Sequence, residues 1–201
     1  MMRLRPFFLA LVLATTFSIG AVAQKAQADT EEFIASLGDR ALQVLVVDSQ
    51  SETEREDAFR ELLSEGFDLR LIGRYALGRY WRRATAEQRS EYAKLFEDFI
   101  VETYVARLGE YSGETLTVVS SRPDDQDTIV TSEIVREGRP PIRVDWRVRR
   151  GEGEPKIIDV VVEGVSMLLT QRDEFASVIQ RSGGNVEGLL ARLREKSSDG
   201  E

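Results

Sequence analysis

The segment Ile142-Arg143-Val144-Asp145-Trp146-Arg147-Val148-Arg149 decides the fold class of this 201-residue chain. Its apolar residues alternate strictly with charged ones. Because successive side chains of a β-strand point to opposite faces of the sheet, this alternation predicts a strand with one buried and one solvated face. One dry face and one wet face are typical of antiparallel sheets, since parallel strands are usually covered on both sides.

The alternating pattern extends outward from this strand over residues 115–164, where three turn-forming segments interrupt it. The turns are predicted at residues 122–125, 137–141 and 151–155, which are rich in Pro, Gly and Asp. Four strands joined by short turns predict an antiparallel meander. The fourth, residues 156–163, is more apolar than the others, so we expect it to be central or covered on both faces.

Helical patterns precede the predicted sheet, and each opens with a capping signal. Apolar residues recur at steps of three and four, as the buried face of a helix requires. The N-terminal signals are Asp29 with Glu32, Ser51 with Glu54, Asp68, and Thr85 with Gln88. Gly66 is a plausible stop for the second helix, and the longest helix is predicted to end near Leu108.

Two further helices are predicted after the sheet, over about residues 173–181 and after an Asn185 cap, with a polar tail from about Lys196. The fold class is therefore α+β, with a twisted four-stranded antiparallel sheet packed on one side by helices from both ends of the chain. Such an arrangement either fills the space between sheet and helices or encloses an apolar pocket there. Periodicity does not distinguish these two cases.

The first 28 residues have the pattern of a cleavable export signal. Arg3 and Arg5 precede an apolar run over residues 7–22, and small residues follow at the spacing that signal peptidases read. We expect cleavage after Ala28, with Ala23 as the alternative, which leaves one domain over residues 29–201. A membrane anchor is the competing interpretation, but a spanning helix needs about 20 apolar residues and this run is shorter.

The chain is acidic, with 27 Lys and Arg against 35 Asp and Glu, a net charge of −8. Removal of the export signal takes away three cations, and the net charge becomes −11. Such a charge disfavours nucleic acid as a partner and passive adsorption to anionic lipid. No later segment is long enough to span a membrane, so any contact with membranes is expected to run through protein partners.

The chain contains neither Cys nor His. This excludes disulfides, thiolate catalysis and Ser-His-Asp chemistry, and it removes the commonest zinc ligands. Catalysis by a pair of carboxylates stays open, although no spacing singles out a pair. We therefore predict a protein that is not an enzyme and that holds no cofactor and no metal.

Aromatic side chains and arginines are concentrated on the predicted helices. Core packing explains any single aromatic residue, while the set as a whole is also what the wall of a cavity requires. Arg74, Arg79, Arg82 and Arg83 flank the aromatic residues. They belong either to a solvated helix face or to a surface that meets a partner or an anionic headgroup.

An ordered set of motifs resembles the MlaC family of periplasmic phospholipid-binding proteins. It begins with Leu77-Gly78-Arg79-Tyr80-Trp81-Arg82-Arg83-Ala84-Thr85 and continues at residues 87–89, 95–96, 103–104 and 107–108. It resumes at residues 144–148, 158–166, 172–175 and 183–184, and thus covers most of the chain in the right order. Each motif alone is weak, and the ordered set is fairly specific.

The resemblance implies a periplasmic, monomeric carrier that takes the acyl chains of a phospholipid into an apolar pocket. Its implied partners are an inner-membrane Mla ABC transporter and an outer-membrane lipoprotein–porin complex, and its implied role is to maintain outer-membrane lipid asymmetry. A related branch is linked to hopanoid-producing bacteria, and these motifs do not separate the branches. The other readings left open are a non-catalytic protein-interaction module and a carboxylate enzyme.

Apolar pattern and resemblance together assign a set of residues to lipid binding. They are Leu71, Ile72, Tyr75, Leu77, Tyr80, Trp81, Phe96, Phe99, Ile100, Tyr104, Val144, Trp146, Val148, Ile158, Val160, Val162 and Met167. The arginines Arg74, Arg79, Arg82 and Arg83 are assigned to contact with a partner or with the lipid headgroup.

Overall fold

The computed structural model describes residues 18–46, 51–108, 113–151 and 153–199. Most of the predicted export signal lies outside this part of the chain, so the signal and its cleavage site stay predictions. Within the described ranges no helix combines the length and apolar character needed to cross a bilayer.

The sheet is an antiparallel meander in the order β1-β2-β3-β4-β5. Its strands are β1 (Thr115–Asp124), β2 (Asp127–Val135), β3 (Ile142–Arg149), β4 (Lys156–Val162) and β5 (Val165–Ser166). The α+β class is confirmed, and the predicted count of four strands is corrected to five. The additional strand β5 has only two residues, too few for an alternating pattern to be visible in the sequence.

The predicted character of the central strands is confirmed. On β3, Val144 and Val148 are buried, while Arg147 bonds to Asp124 of β1 and Arg149 to Asp127 of β2. Ile157 and Ile158 are adjacent on β4 and both are buried, and β4 has a neighbouring strand on each side.

Six α-helices are formed within the described residues. They are α1 (Ser18–Val46), α2 (Glu52–Gly66), α3 (Leu69–Leu77), α4 (Ala86–Leu108), α5 (Met167–Arg181) and α6 (Val186–Asp199). A 3₁₀ turn over Gly78–Arg82 separates α3 from α4. Helix α1 packs against β1 and β2, α3 packs against α5, and α4 packs against α6.

Most of the predicted helix caps are confirmed by hydrogen bonds. The Ser51 hydroxyl accepts from the Glu54 N–H at 3.2 Å, and the Glu54 carboxylate accepts from the Ser51 N–H at 2.8 Å. Asp68 accepts from the Leu71 N–H at 2.9 Å. Caps at Thr85 and Asn185 are confirmed in the same way. These signals succeed because a cap involves only neighbours in sequence.

Gly66 ends α2 as predicted, and its missing side chain also sets the packing of α2 on α1. A Cβ at this position would lie 2.7 Å from Leu37 Cδ2 of α1. Past this glycine the chain runs beside β4, since the Asp68 N–H donates to the Ile157 carbonyl at 3.0 Å. The link between α2 and α3 is thereby fixed to the sheet.

Several predicted boundaries are wrong. Asp29 is not an N-cap, because α1 is already formed eleven residues earlier at Ser18. Pro123 lies inside β1 and not in a turn, which an edge strand permits because it leaves one row of N–H groups unpaired. The apolar pattern carries the third helix on to Trp81, but it ends at Leu77, before Gly78 with its φ of +56° in the left-handed region.

At the C-terminal end, α5 begins at Met167 and not near Asp173, since Ser166 caps it. The residues from Lys196 onward are not a tail at their start, because α6 continues to Asp199. In both cases the predicted helix is shorter than the observed one. The backbone hydrogen bonds of a helix continue past the last residue of its apolar pattern.

Most of the buried apolar side chains of the described residues form two clusters. One lies among the helices, from Ala76 and Tyr80 through Phe96 and Phe175 to Leu193. The other lies between α1, α2 and the sheet, and joins Ile34 and Leu62 to Val130, Val148 and Ile157. A cavity lies where these two clusters approach each other.

Candidate functional site

A cavity of about 650 Å³ lies between the sheet and the helices. Its lining is drawn from α1 through α5 and from β1 through β4. The lining residues are Ile34, Leu37, Gly38, Ala41, Leu42, Phe59, Leu62, Leu63, Phe67, Leu69, Ile72, Phe96, Ile100, Tyr104, Glu114, Thr115, Leu116, Ile134, Trp146, Asp159, Val160, Val162, Met167, Leu168 and Gln171. This volume is in the range of small-molecule sites, which is about 300–1,000 Å³.

The wall of the cavity is predominantly apolar. Polar side chains occur in it at Glu114, Thr115, Asp159 and Gln171, in addition to the hydroxyl of Tyr104, and no Lys or Arg among the described residues lines it. A wall of this composition suits a long apolar group, which gains about 25 cal/mol for each Å² that it removes from water.

Trp146 presents its ring to the cavity because its polar edge is satisfied behind it. The indole N–H donates to the Ser132 hydroxyl at 2.8 Å, and Ser132 is completely buried on the neighbouring strand β2. The Ser132 hydroxyl in turn donates to the Val144 carbonyl at 3.4 Å. The chain therefore places a large apolar surface in the wall without leaving a buried donor unpaired.

Asp159 also lies in the wall, and its carboxylate holds the start of α5. It accepts from the Ser166 hydroxyl at 2.6 Å and from the Leu168 N–H at 3.1 Å. The Ser166 hydroxyl accepts from the Leu169 N–H at 3.1 Å. A carboxylate at a helix N-terminus is favoured by the helix dipole, so Asp159 has a structural role there.

Three groups with shifted pKa values lie away from the cavity. Burial raises the pKa of the Tyr92 hydroxyl, which donates to the Gly73 carbonyl at 3.0 Å and links α4 to α3. The hydrogen bond from Arg79 lowers the pKa of Tyr80. Burial opposes the charge of Asp127, but hydrogen bonds from Arg149 and Arg147 outweigh it and hold the pKa of Asp127 below its usual value.

The structure brings about half of the sequence-predicted lipid-binding residues together in the cavity wall. These are Ile72, Phe96, Ile100, Tyr104, Trp146, Val160, Val162 and Met167. They come from α3, α4, β3, β4 and α5, elements far apart in sequence. These eight residues therefore line one cavity, and their role in lipid binding stays a prediction.

The other predicted lipid-binding residues lie outside the cavity lining. Leu77, Tyr80, Trp81 and Phe99 belong to the cluster among the helices. Val144, Val148 and Ile158 are buried elsewhere on the sheet, and Leu71 and Tyr75 lie on α3, where Tyr75 is exposed. Packing against neighbouring side chains accounts for the buried members of this set.

Sequence reasoning missed the contribution of α1 and α2 to the wall. Ile34, Leu37, Ala41, Phe59 and Leu62 all line the cavity. Their helical spacing was visible, and it correctly predicts a buried face. The pattern gives the direction in which a side chain points and not whether a neighbour fills the space in front of it.

The arginines predicted to meet a partner or a headgroup are exposed. Arg74 lies on α3, Arg79 and Arg82 in the 3₁₀ turn, and Arg83 directly after it. None of these four lines the cavity. The structure thus separates the arginines from the apolar site.

The family model for the MlaC protein matches residues 35–195. The intermembrane phospholipid transport system binding protein MlaC of Haemophilus influenzae is 26% identical over 136 residues, which is 65% of this chain and 63% of that protein. The toluene tolerance protein ttg2D of Pseudomonas putida is 26% identical over 113 residues, 56% of this chain and 53% of that protein. The alignments thus span less than two thirds of the length of these curated relatives.

A solved structure also resembles this chain over most of its length. It is a phospholipid-binding protein from Ralstonia solanacearum in complex with a phospholipid. The TM-score is 0.74 at 25% sequence identity, and the match covers 87% of this chain and 98% of that one.

Proposed function

This chain belongs to the MlaC family, and on that premise we propose that it is a phospholipid carrier whose apolar cavity receives the acyl chains. The observation that carries the proposal is the cavity of about 650 Å³ between sheet and helices, in a fold shared with a protein solved with bound phospholipid. The sequence assigned Ile72, Phe96, Ile100, Trp146 and Val160 to lipid binding, and all five line this cavity.

The energetics of lipid in water explain why a carrier is needed. Two acyl chains contain on the order of 30 methylene groups, each worth about 0.8 kcal/mol on leaving water, or roughly 24 kcal/mol in total. This exceeds the roughly 21 kcal/mol at which non-covalent affinities saturate. A lipid therefore does not cross an aqueous gap unaided at a useful rate. The affinity of the carrier for lipid has to be close to that of a bilayer and no higher, because otherwise the carrier would not release its cargo.

The proposed activity is binding and transport, and the family is one of lipid-binding transport proteins and not of enzymes. The Haemophilus influenzae relative is named as a binding protein of a transport system. The one carboxylate of the wall whose contacts are described, Asp159, is occupied by the N-terminus of α5. The apolar lining and this structural use of Asp159 count against the alternative of a carboxylate enzyme.

We propose further that the protein works in the periplasm, after cleavage of residues 1–28. It would exchange lipid with an inner-membrane Mla ABC transporter and an outer-membrane lipoprotein–porin complex, and so help to maintain outer-membrane lipid asymmetry. The pattern of the first 28 residues supports export. The name of the Haemophilus influenzae relative, an intermembrane phospholipid transport protein, supports the role.

Native mass spectrometry of the protein purified from its host tests the proposal. We expect the mature chain to carry phospholipid. The intact mass of the chain identifies its first residue and therefore the cleavage site. The Val160→Glu variant provides the matched sample, because its carboxylate would stand in the apolar wall. A wild-type protein that carries no lipid would contradict the proposal, and a bound hopanoid would transfer it to the hopanoid-associated branch.

A further inference from the structure

Five exposed arginines lie on α3, in or directly after the 3₁₀ turn that follows it and on the neighbouring helix α5, a surface that we call the arginine face. It consists of Arg74 on α3, Arg79 and Arg82 in the 3₁₀ turn, Arg83, and Arg172 on α5. Arg172 joins the others because its Nε lies 3.0 Å from the place that a Cβ on Gly78 would take. The face thus includes residues almost a hundred positions apart in sequence.

The arginine face has no acidic counterpart among the described residues. None of its five guanidinium groups has a carboxylate oxygen within 4.0 Å in that part of the chain. Elsewhere on the surface, Arg60 bonds to Glu56 and Asp98, and Arg194 bonds to Glu91 and Glu187. A group of like charges without counterions is unfavourable unless an anionic partner neutralises it.

A fixed aromatic platform orders part of the arginine face. The guanidinium groups of Arg79 and Arg83 lie 5.1 and 5.7 Å from the centroid of the Tyr80 ring. Arg79 also donates to the Tyr80 hydroxyl at 3.2 Å. Since Tyr80 is only 3% exposed, the platform itself is anchored in the core. Guanidinium groups held by cation–π contacts lose less conformational entropy when they bind an anion.

Backbone geometry at Gly78 is a second element of the same construction. Its φ of +56° is unfavourable for residues with a side chain, and a Cβ there would crowd Arg172. The glycine therefore turns the chain sharply out of α3 and leaves room for the α5 arginine beside the 3₁₀ turn. The cluster is a consequence of the fold and not of composition, because the chain as a whole has a net charge of −8.

We propose that the arginine face is a docking surface for a protein partner that presents aspartates and glutamates. A planar guanidinium matches a carboxylate, as it does a phosphate, in a bidentate geometry, and the choice between these anions follows from the place of the arginines. A lipid headgroup held in the cavity is disfavoured, since none of the five arginines lines the cavity. An anionic membrane is disfavoured because the chain as a whole is acidic and Tyr80, the aromatic ring at the centre of the face, is buried and not available for insertion.

The location of the face gives docking a consequence for the cavity. Helix α3 carries Arg74 and also Ile72 of the wall, and α5 carries Arg172 beside Gln171 of the wall. These two helices pack against each other. A partner on the arginine face would therefore touch the outer side of helices whose inner side closes the cavity.

A labelled acidic peptide tests the proposal directly. Binding of fluorescein-labelled decaglutamate is measured by fluorescence anisotropy for the full mature protein and for the double variant Arg82→Gln/Arg172→Gln. The control is Arg122→Gln/Arg139→Gln, which removes two exposed charges from the sheet side. We expect the face variant to bind the peptide at least about fivefold more weakly than the wild type, and the control to stay within about twofold. Because salt screens charge, the affinity of the wild type should fall when the salt concentration is raised from about 20 to about 150 mM.

Equal weakening in both variants, or no peptide binding by the wild type, would overturn the proposal. So would arginine-dependent flotation with phosphatidylglycerol vesicles in the absence of peptide binding, because it would assign the face to a membrane. Circular dichroism verifies that each variant is folded. The docking proposal does not depend on which lipid the cavity binds. The phospholipid content of the same variants, measured by native mass spectrometry, tests the proposed carrier function separately.

Discussion

At the scale of single residues, cavity wall and solid core lie side by side on β3 and β4. Trp146 and Val160 are paired across these strands and both line the cavity. Val144 lies two residues from Trp146 on the same face of β3, is 2% exposed and does not line the cavity. The same substitution at the two kinds of position therefore distinguishes a binding role from a packing role.

We expect Val160→Glu to lower the phospholipid content of the purified protein about tenfold or more, a loss of at least about 1.4 kcal/mol in binding, while the fold is kept. The introduced carboxylate can be hydrated by water in the empty cavity, but a lipid would have to bury it. Val144→Glu should instead unfold the protein, because its charge has no cavity to occupy. Circular dichroism and lipid analysis measure the two outcomes, and a Val160→Glu protein that is folded and fully loaded would contradict the assignment.

A second feature at this scale is the pairing of Asp127 with two arginines at one end of the sheet. Its side chain is 3% exposed and accepts from Arg147 at 3.0 Å and from Arg149 at 2.7 Å. These bonds hold the pKa of Asp127 below its usual value against the effect of burial. A carboxyl group with a lowered pKa in the folded state stabilises that state above its unfolded pKa, and the stabilisation is lost as the pH falls through the folded value.

Asp127→Asn should therefore lower the free energy of unfolding by about 2 kcal/mol at pH 7, the usual worth of hydrogen bonds to a charged group. The difference from the wild type should shrink once the pH falls below about 4, where the unfolded-state carboxyl takes up its proton. Urea titrations at several pH values measure it. Asp124→Asn is the control, because Asp124 is 39% exposed and a surface pair contributes about 0–1 kcal/mol. A difference that does not depend on pH would contradict the role of the charge.

At the scale of elements, the start of α5 connects helix capping with the cavity. Ser166 caps this helix and bonds to Asp159 of the wall, and Met167 and Leu168 follow directly as wall residues. The turn before it contains Glu163 and Gly164, both with positive φ, so β4 reverses sharply into β5. A change in the cap is thus a change in one side of the cavity.

Ser166→Ala should cost about 1 kcal/mol of stability, as does loss of a helix cap in general, and should speed transfer of bound phospholipid to acceptor vesicles. Ser51→Ala is matched to it, because Ser51 caps α2 in the same way and does not line the cavity. We expect a similar loss of stability in this control with an unchanged transfer rate. Equal transfer rates in the two variants would show that the α5 cap does not hold the cavity closed.

The elements also show what the sequence can and cannot predict. Ser51, Asp68, Thr85 and Asn185 were recognisable as caps because each acts on residues two or three positions away. Asp29 failed as a cap because the start of α1 depends on residues before it, which had been assigned to the export signal. The wall was only half predictable, since a helical stripe has the same spacing whether it faces a filled core or a cavity.

At the scale of the whole molecule, the cavity lies between two clusters of buried side chains. Phe96 of the wall belongs to the cluster among the helices, and Ile34 of the wall belongs to the cluster against the sheet. A ligand in the cavity would contact both. Ligand binding to the folded state alone raises the free energy of unfolding by mass action.

We expect phospholipid loading to raise the melting temperature of the delipidated protein by about 5–10 °C. This follows from about 2.7 kcal/mol at a hundredfold excess over Kd and about 2–4 °C per kcal/mol for a domain of this size. Differential scanning calorimetry measures the shift, and mass spectrometry verifies the loading. The Val160→Glu variant should show no shift in melting temperature. An unchanged melting temperature for a loaded wild type would contradict the expectation that a ligand in contact with both clusters stabilises the fold.

The division of the buried side chains into two clusters also has a consequence for how this sequence can change over evolutionary time. A side chain that grows or shrinks is compensated by those it touches, and the members of each cluster touch mainly one another. Substitutions should therefore covary in two separate groups of positions across the family. Because Phe96 and Ile34 of the wall belong to different clusters, the two sides of the cavity should change independently of each other when the cargo changes.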